Sequence, residues 1–310
     1  MTQFQQKVMV CAPQGQLEWG FGGRRKIRDG ALLIAFFIGG IGAGQFIVST
    51  WVFDYPLSAV IGLLCVAIGK GTAHLVYLGR PMRFFRIFLK PKTSWISRGL
   101  ISLIIMIVFG FAYLAPYLAP MVGGTWTAWT MTDTLGKTLL VIATIAAFIV
   151  MIYDGFVLNS CKSISSWHTM LMPVMFFAYA VAGGLALTTL TIIIDNISML
   201  STADIVTIDM FLLGAMLALV ILYLINLYTS DLTAKESLHR LLMSRTAIYF
   251  IGLAVIAGLA VPIVLTIIHQ GGVQGTVAIT LLAVSAILEL MGDLSVRHSI
   301  LRAGLYAPVL

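Results

Sequence analysis

Polar side chains that could transfer protons lie on one face of the second apolar segment. Lys70, His74 and Tyr77 are spaced i, i+4 and i+7, which places them on one stripe of a helix. An ionisable residue inside a membrane span is costly and indicates function when it faces other helices or water. The stripe predicts proton transfer by Lys70 and His74. A structural interpretation stays open, in which Lys70 pairs with a carboxylate and His74 is a hydrogen-bonded packing residue.

A carboxylate in the fourth apolar segment extends this candidate site. Tyr153 and Asp154 lie at a depth similar to that of the stripe, measured from the same side of the membrane. A buried carboxylate must stay protonated or pair with a cation, and both states suit a proton donor or acceptor. We therefore predict that Asp154 exchanges protons, helped by Lys70 and Gln45.

These side chains have the chemistry that a quinone headgroup requires. Its carbonyls need hydrogen-bond donors, its reduction needs protons, and its ring needs flat apolar or aromatic walls. The residues predicted to transfer protons are Asp154, His74 and Lys70. The residues predicted to bind the quinone are His74, Tyr77, Tyr153, Gln45, Gly40, Trp95 and Arg98.

The composition requires a membrane protein to position these residues. Mean hydropathy is +1.01 over 310 residues, and apolar runs of about 20 residues recur, the length that spans a bilayer core. We predict an all-α integral membrane protein with eight transmembrane helices arranged as two four-helix bundles. The predicted spans are 30–52, 56–79, 95–118, 136–158, 168–191, 205–229, 246–268 and 274–294.

Three regions follow from these spans. Residues 1–29 form a polar N-terminal arm, 30–158 the first bundle with the quinone site, and 159–310 the second bundle with the C-terminal tail. The run GGIGAG at 39–44 permits close approach of another backbone or of a flat ligand. Nearly all ionisable residues are expected in the half of the membrane next to the arm, with Glu289 paired to Arg297 or another cation at the edge.

The cationic residues predict the orientation. Of 19 Lys and Arg residues, all but Lys137 and Lys70 fall in segments on the side of the N-terminus. The positive-inside rule then places both termini in the cytoplasm. The basic charge borders the membrane and predicts topology or partner docking rather than nucleic-acid binding. Within the basic hairpin 74–99, the residues predicted to dock a partner are Arg80, Arg83, Arg86 and Lys90.

The cysteines do not encode a cluster site. Cys11, Cys65 and Cys161 are isolated and form no C-x-x-C motif, so we expect no iron–sulfur cluster or other metal in this chain. Electrons would have to be carried by another subunit.

Several segments together resemble the NrfD family of polysulfide-reductase-type membrane subunits, which is related to the dimethyl sulfoxide reductase anchors. The resemblance covers nearly the whole chain, and LGRPMRFFRIFLKPKTSWISRG at 78–99 is its most specific part. The other carriers are FFIGGIGAGQF (36–46), YDGF (153–156), SSWHTMLMPVMFFAYAVAGGLAL (165–187) and ELMGDLSVRHSILRAG (289–304).

The resemblance implies a subunit of a prokaryotic inner-membrane complex without a redox cofactor of its own. Such a subunit exchanges electrons between menaquinone or ubiquinone and a ferredoxin-like iron–sulfur subunit, itself coupled to a molybdopterin or tungsten catalytic subunit. In the related anchors a histidine precedes the Leu-Gly-x-Pro run, whereas here Tyr77 holds that place and His74 lies one turn earlier. Several family members have exported catalytic subunits on the side that the charge count places in the cytoplasm, and both orientations stay open.

Two other functions remain open. A proton- or cation-coupled transporter could use Lys70, Asp154 and Glu289, and would need polar residues that continue to the opposite face. A haem b anchor could use His74 and His168, and would need both histidines at matched depth on facing helices.

Overall fold

The computed structural model describes residues 24–78, 81–124, 127–195 and 202–306. Nearly all of these residues are helical, and eight of the helices are long and apolar enough to cross a membrane, as predicted. The helices are α1 Arg24–Trp51, α2 Pro56–Leu78, α3 Trp95–Leu118, α4 Thr134–Asn159, α5 Leu171–Ile194, α6 Thr202–Thr229, α7 Leu232–Met243, α8 Ile248–Gln270 and α9 Gly275–Ala303.

Helix α1 packs closely along α5, which joins the two halves of the chain. A Cβ atom added at Gly44 would lie 1.9 Å from the carbonyl oxygen of Ala180, and one added at Gly184 would lie 2.2 Å from the carbonyl carbon of Gly44. Only glycine permits backbones to approach this closely. Helix α1 contributes to the buried apolar clusters of both halves, and the division into two separate bundles stays a prediction.

Two membrane helices contain π-helical segments. In α2 the segment Cys65–Lys70 has this form, and in α8 it is Ile248–Ala260. A π-helical turn inserts an extra residue into the α-helical repeat and occurs often at functional sites. The segment in α2 ends at Lys70, so it sets the direction in which the Lys70 side chain leaves the helix.

Short helices border the membrane on the side of the N-terminus. The basic hairpin contains a 3-10 helix from Pro81 to Leu89. Helix α7 was not predicted, because its 12 residues are too few and too polar to give the signal of a span. Its start was nevertheless readable, since the Asp231 side chain accepts a hydrogen bond from the Ala234 N–H as an N-cap.

Helix α9 is longer than predicted. The apolar signal ends near residue 294, but the helix continues to Ala303. Arg297 is 2% exposed and is therefore inside the protein rather than at the membrane edge. Glu289 lies 14 residues from either end of α9, which places it near the middle of the span at a depth of about 21 Å. The shallow depth predicted for Glu289 was wrong.

Candidate functional site

Lys70 and Asp154 form an ion pair that joins α2 to α4. The Lys70 Nζ lies 2.7 Å from Asp154 Oδ2, and the two side chains are 0% and 1% exposed. Lys70 Nζ also donates to the carbonyl oxygen of Ala35 on α1, at 3.2 Å. An added Cβ at Gly39 would lie 2.1 Å from Lys70 Cδ. The first glycine of the GGIGAG run therefore provides the space through which the lysine reaches its partner.

Tyr153 and His74 continue this polar group toward the outside of the helix bundle. The Tyr153 hydroxyl lies 3.4 Å from His74 Nε2 and also interacts with the Asp154 carboxylate. His74 Nδ1 lies 3.1 Å from the carbonyl oxygen of Lys70, one turn earlier on α2. Tyr153 is buried, whereas His74 is half-buried. The imidazole is thus the member of the group that is nearest to a surface.

The Tyr153 ring is held by its neighbours. Lys70 Nζ lies 4.6 Å from the ring centroid, within the range of a cation–π interaction. On another side, an added Cβ at Gly99 would lie 2.2 Å from the ring. The glycine of the Ser-Arg-Gly motif therefore makes the position of Tyr153 possible.

Each residue of the YDGF motif has an identifiable contact. Beyond Tyr153 and Asp154, an added Cβ at Gly155 would lie 2.5 Å from the Pro173 Cα on α5. The Phe156 ring stacks on Trp95, with centroids 4.1 Å apart and an interplanar angle of 7°. The motif fixes α4 against α2, α3 and α5 at a single level.

A second ion pair lies on the other side of α1. Arg297 Nε lies 2.6 Å from Asp293 Oδ1, and both side chains are 2% exposed. Arg297 Nη1 donates to the carbonyl oxygen of Phe36, at 3.2 Å. Arg297 therefore pairs with Asp293, and the predicted pairing of Glu289 with Arg297 was wrong, because the longer α9 brings Asp293 and Arg297 together within the helix.

Two predicted quinone contacts have other neighbours. An added Cβ at Gly40 would lie 3.0 Å from Arg297 Nη2, so this glycine makes space for a guanidinium group. The Gln45 amide donates to Ser58 and Thr191 at 3.0 and 3.3 Å. It belongs to a neutral network near the far ends of α1 and α5, about 15 Å along α1 from Ala35. The prediction that Gln45 assists Asp154 was wrong.

The aromatic and basic residues of the hairpin lie at the edge of the site. Arg98 donates to the carbonyl oxygens of Pro91 and Lys92 at 3.0 and 2.6 Å, and its guanidinium lies 4.6 Å from the Trp95 ring. Arg98 therefore closes the hairpin and covers the aromatic stack. Tyr77 is half-buried and packs against the apolar cluster that contains Phe36.

The predicted docking residues are only partly described. Arg86 and Lys90 are exposed. Arg80 lies outside the described residues, and Arg83 is on the 3-10 helix but its side chain is not among those described. Phe85 and Leu89 of the same helix are 59% and 69% exposed, so cationic and apolar groups share this surface.

Polar residues continue deeper into the membrane than the sequence predicted. Glu289 Oε1 accepts from the Ser285 hydroxyl at 2.9 Å. Asp209 is 6% exposed inside α6 and accepts from Thr266 of α8 at 3.3 Å. The expectation that the far half is nearly inert was wrong.

The histidines and cysteines give no further site. His168 lies in the exposed loop before α5, where its Nδ1 is 2.6 Å from the carbonyl oxygen of Asn159. His74 is within α2, so the two are not facing residues of two spans. In the described ranges, no three His, Cys, Asp or Glu side chains are grouped to hold a metal ion.

Comparison with known proteins identifies the wider group. The family model described as "Polysulphide reductase, NrfD" matches residues 29–308. The chain is 28% identical over 142 residues to a sulfite dehydrogenase subunit of Allochromatium vinosum. This match covers 43% of the chain and 41% of that protein, so it spans less than half of the relative's length.

Proposed function

We propose that this chain, which belongs to the NrfD polysulphide reductase family, is the quinone-reactive membrane subunit of a multisubunit oxidoreductase. It passes electrons between menaquinone or ubiquinone and a ferredoxin-like iron–sulfur subunit that is coupled to a molybdopterin or tungsten catalytic subunit. The family match and the similarity to a sulfite dehydrogenase subunit support membership in a redox complex. A reaction with quinone goes beyond these two findings and is the part that we propose.

One observation carries the proposal: beside a fully buried ion pair lies a tyrosine whose hydroxyl is 3.4 Å from a half-buried histidine. Lys70 and Asp154 form the pair, and Tyr153 lies between them and His74. Bound quinone supplies two-electron redox chemistry that consumes or releases protons. A headgroup beside His74 would have a hydrogen-bond donor at its carbonyl when Nε2 is protonated, and the Asp154 carboxylate would lie behind Tyr153.

Each residue has a defined role in this arrangement. His74 Nδ1 faces the Lys70 carbonyl oxygen, so His74 donates to a quinone carbonyl only when Nε2 carries a proton, and it exchanges this proton with Tyr153. Asp154 takes up or returns this proton, and Lys70 stabilises the carboxylate when it is ionised. The remaining predicted contacts, Tyr77, Trp95 and Arg98, orient the ring from the side of the hairpin. Positioned acid–base groups of this kind contribute about 100-fold or more to a rate.

The surface around Arg86 and Lys90 is proposed to dock the iron–sulfur subunit, together with Arg80 and Arg83. Exposed cations attract an acidic partner and orient it, and the exposed aromatic groups of the 3-10 helix provide apolar contact area. We place the chain in the prokaryotic inner membrane with both termini in the cytoplasm, in accordance with the distribution of Lys and Arg.

Substitution in the assembled complex tests the site. His74→Ala and Asp154→Asn are expected to lower quinol oxidation or quinone reduction by about 100-fold while the complex still assembles. The matched controls are His168→Ala, which changes an exposed loop histidine, and Asp293→Asn, which changes the other ion-paired buried carboxylate. Unchanged turnover in both site variants would remove the proposed quinone site.

Purification of the intact assembly tests the partners. Iron–sulfur clusters and molybdenum or tungsten should copurify with the chain in subunits of their own. Isolation of the chain as a functional protein without such subunits would contradict the proposed electron path.

A second candidate, a proton- or cation-coupled transporter, is favoured by the buried polar residues at the middle of α9. It predicts ion flux through the chain without redox partners, measured in proteoliposomes. The quinone proposal predicts no such flux in the absence of an electron donor.

A further inference from the structure

One face of α9 carries polar side chains from the near side of the membrane to its middle. Ser285, Glu289, Asp293 and Arg297 follow each other at intervals of four residues and are all buried. Successive members are about 6 Å apart along the helix axis. Glu289 lies at the midpoint of α9 and takes no part in the ion pair formed by the last two.

Glu289 meets a second carboxyl group from α6. The carboxyl groups of Asp209 and Glu289 lie within hydrogen-bonding reach of each other. Each also accepts from a hydroxyl, since Ser285 donates to Glu289 Oε1 at 2.9 Å and Thr266 donates to Asp209 Oδ2 at 3.3 Å. Glu289 Oε2 is buried and has no hydrogen-bond donor in the part of the chain that the structure describes.

The surrounding groups do not balance two negative charges. Arg297 already binds both carboxylate oxygens of Asp293, at 2.6 and 3.3 Å. Within the described ranges, neither Asp209 nor Glu289 forms an ion pair. The other buried titratable groups on the described parts of α5, α6 and α8 are Tyr179, Tyr223 and His269, the last of them three residues beyond Thr266.

Two carboxylates in contact inside a membrane cannot both be ionised. Burial disfavours each charge, and the charges repel one another across a short distance. A proton held between them removes one charge and also gives Glu289 Oε2 the hydrogen bond that it lacks.

We propose that Asp209 and Glu289 form a binding site for one exchangeable proton inside the transmembrane bundle. The site goes beyond the proposed quinone reaction, because none of its residues belongs to the Lys70–Asp154 group. A sodium ion would also bind carboxylate and hydroxyl oxygens. The proton is favoured because the Thr266 hydroxyl also lies 2.8 Å from the carbonyl oxygen of Pro262, which can accept its one hydrogen, so that a proton on Asp209 would complete the 3.3 Å contact between Thr266 and Asp209.

Infrared spectroscopy of membranes that contain the full chain decides whether the proton is present. The wild type should show a protonated-carboxyl C=O band that shifts in D2O. The band should be absent in the double variant Asp209→Asn/Glu289→Gln and present in the control Asp195→Asn, which changes an exposed carboxylate. Identical spectra of the wild type and the double variant in this region would overturn the proposal.

Labelling with dicyclohexylcarbodiimide, which modifies protonated carboxyl groups, identifies the ligand. The infrared band should decrease as the pH rises, and it should not change when sodium replaces potassium at constant pH. Any label should be found by mass spectrometry at Glu289 or Asp209, and not at the ion-paired Asp154 or Asp293. Loss of the band or of the label on addition of sodium would overturn the proposal in favour of a metal-cation site. These measurements require neither quinone nor a partner subunit, so they do not depend on the outcome of the turnover experiments.

Discussion

The two buried ion pairs beside α1 have similar contacts with that helix but different surroundings. Lys70 donates to the carbonyl oxygen of Ala35 and Arg297 to that of the next residue, Phe36. One turn later, Gly39 and Gly40 leave space for the two cationic side chains. Consecutive positions of a single helix thus accommodate a cation from each half of the chain.

The difference lies in what continues from each pair. Asp154 leads through Tyr153 to the half-buried His74. The second pair is enclosed within the bundle, since the Arg297 guanidinium lies 4.6 Å from the Phe176 ring and both charged groups come from α9 itself. Equal burial therefore does not imply an equal role, and we assign redox-linked proton transfer only to the pair that reaches a surface.

Neutral replacement of each pair should give the largest effect. Lys70→Met and Arg297→Met each leave an unpaired buried carboxylate, which costs about 3–5 kcal/mol of stability. The double variants Lys70→Met/Asp154→Asn and Arg297→Met/Asp293→Asn should recover most of that loss, as measured by thermal unfolding of the solubilised complex.

Turnover should separate the two double variants. The Lys70–Asp154 replacement should lower quinone-linked turnover by about 100-fold, because a proton-transfer group is lost. The Arg297–Asp293 replacement should leave turnover within a fewfold of the wild type. Equal losses in both would contradict the assignment of different roles.

Alanine at each of the two glycines should give a smaller effect. The added methyl group at Gly39 would lie 2.1 Å from Lys70 Cδ, whereas at Gly40 the nearest atom is Arg297 Nη2 at 3.0 Å. Gly39→Ala must displace a lysine that is fixed at its tip, and such overpacking costs about 1–3 kcal/mol.

Gly40→Ala serves as the matched control for Gly39→Ala. It requires a shift of only a few tenths of an ångström, and the higher helix propensity of alanine partly offsets the cost. Thermal unfolding and turnover should therefore both change more in Gly39→Ala. A larger effect at Gly40 would mean that the second pair is the more tightly constrained one.

The sequence predicted the first pair much better than the second. Helical spacing placed Lys70 and His74 on one stripe, and the hydropathy pattern placed Asp154 at a comparable depth. Both signals are local. The position of Arg297 depends on the continuation of α9 beyond the apolar stretch. In the sequence, Arg297 and Arg302 follow that stretch closely, which is the pattern of residues at a membrane edge. Its burial results from tertiary contacts with Phe36 and Phe176.

Gln45 was assigned to the site from its polarity, and tertiary packing gives it other partners. Its polarity inside an apolar helix indicated membership in the proton-transfer group. The partners that satisfy its amide are Ser58 and Thr191, small hydroxyl residues that are common in membrane helices and carry little sequence signal. The packing of α1 on α5 brings them together, and no local pattern contains that information.

Removal of a single hydroxyl near each pair should give the smallest effect on stability. Tyr153→Phe keeps the ring against Gly99 but breaks the connection between His74 and Asp154. The lost hydrogen bond costs about 1 kcal/mol of stability, whereas turnover should fall about 100-fold, as in Asp154→Asn, because the proposed proton path is interrupted. Tyr179→Phe is the matched control. The Tyr179 hydroxyl is buried near the charges of Asp293 and Arg297, and it has no hydrogen-bond partner among the described residues. This substitution should leave turnover unchanged and stability equal or slightly higher. A decrease in turnover for Tyr179→Phe as large as for Tyr153→Phe would show that the proton path does not run through α4 alone.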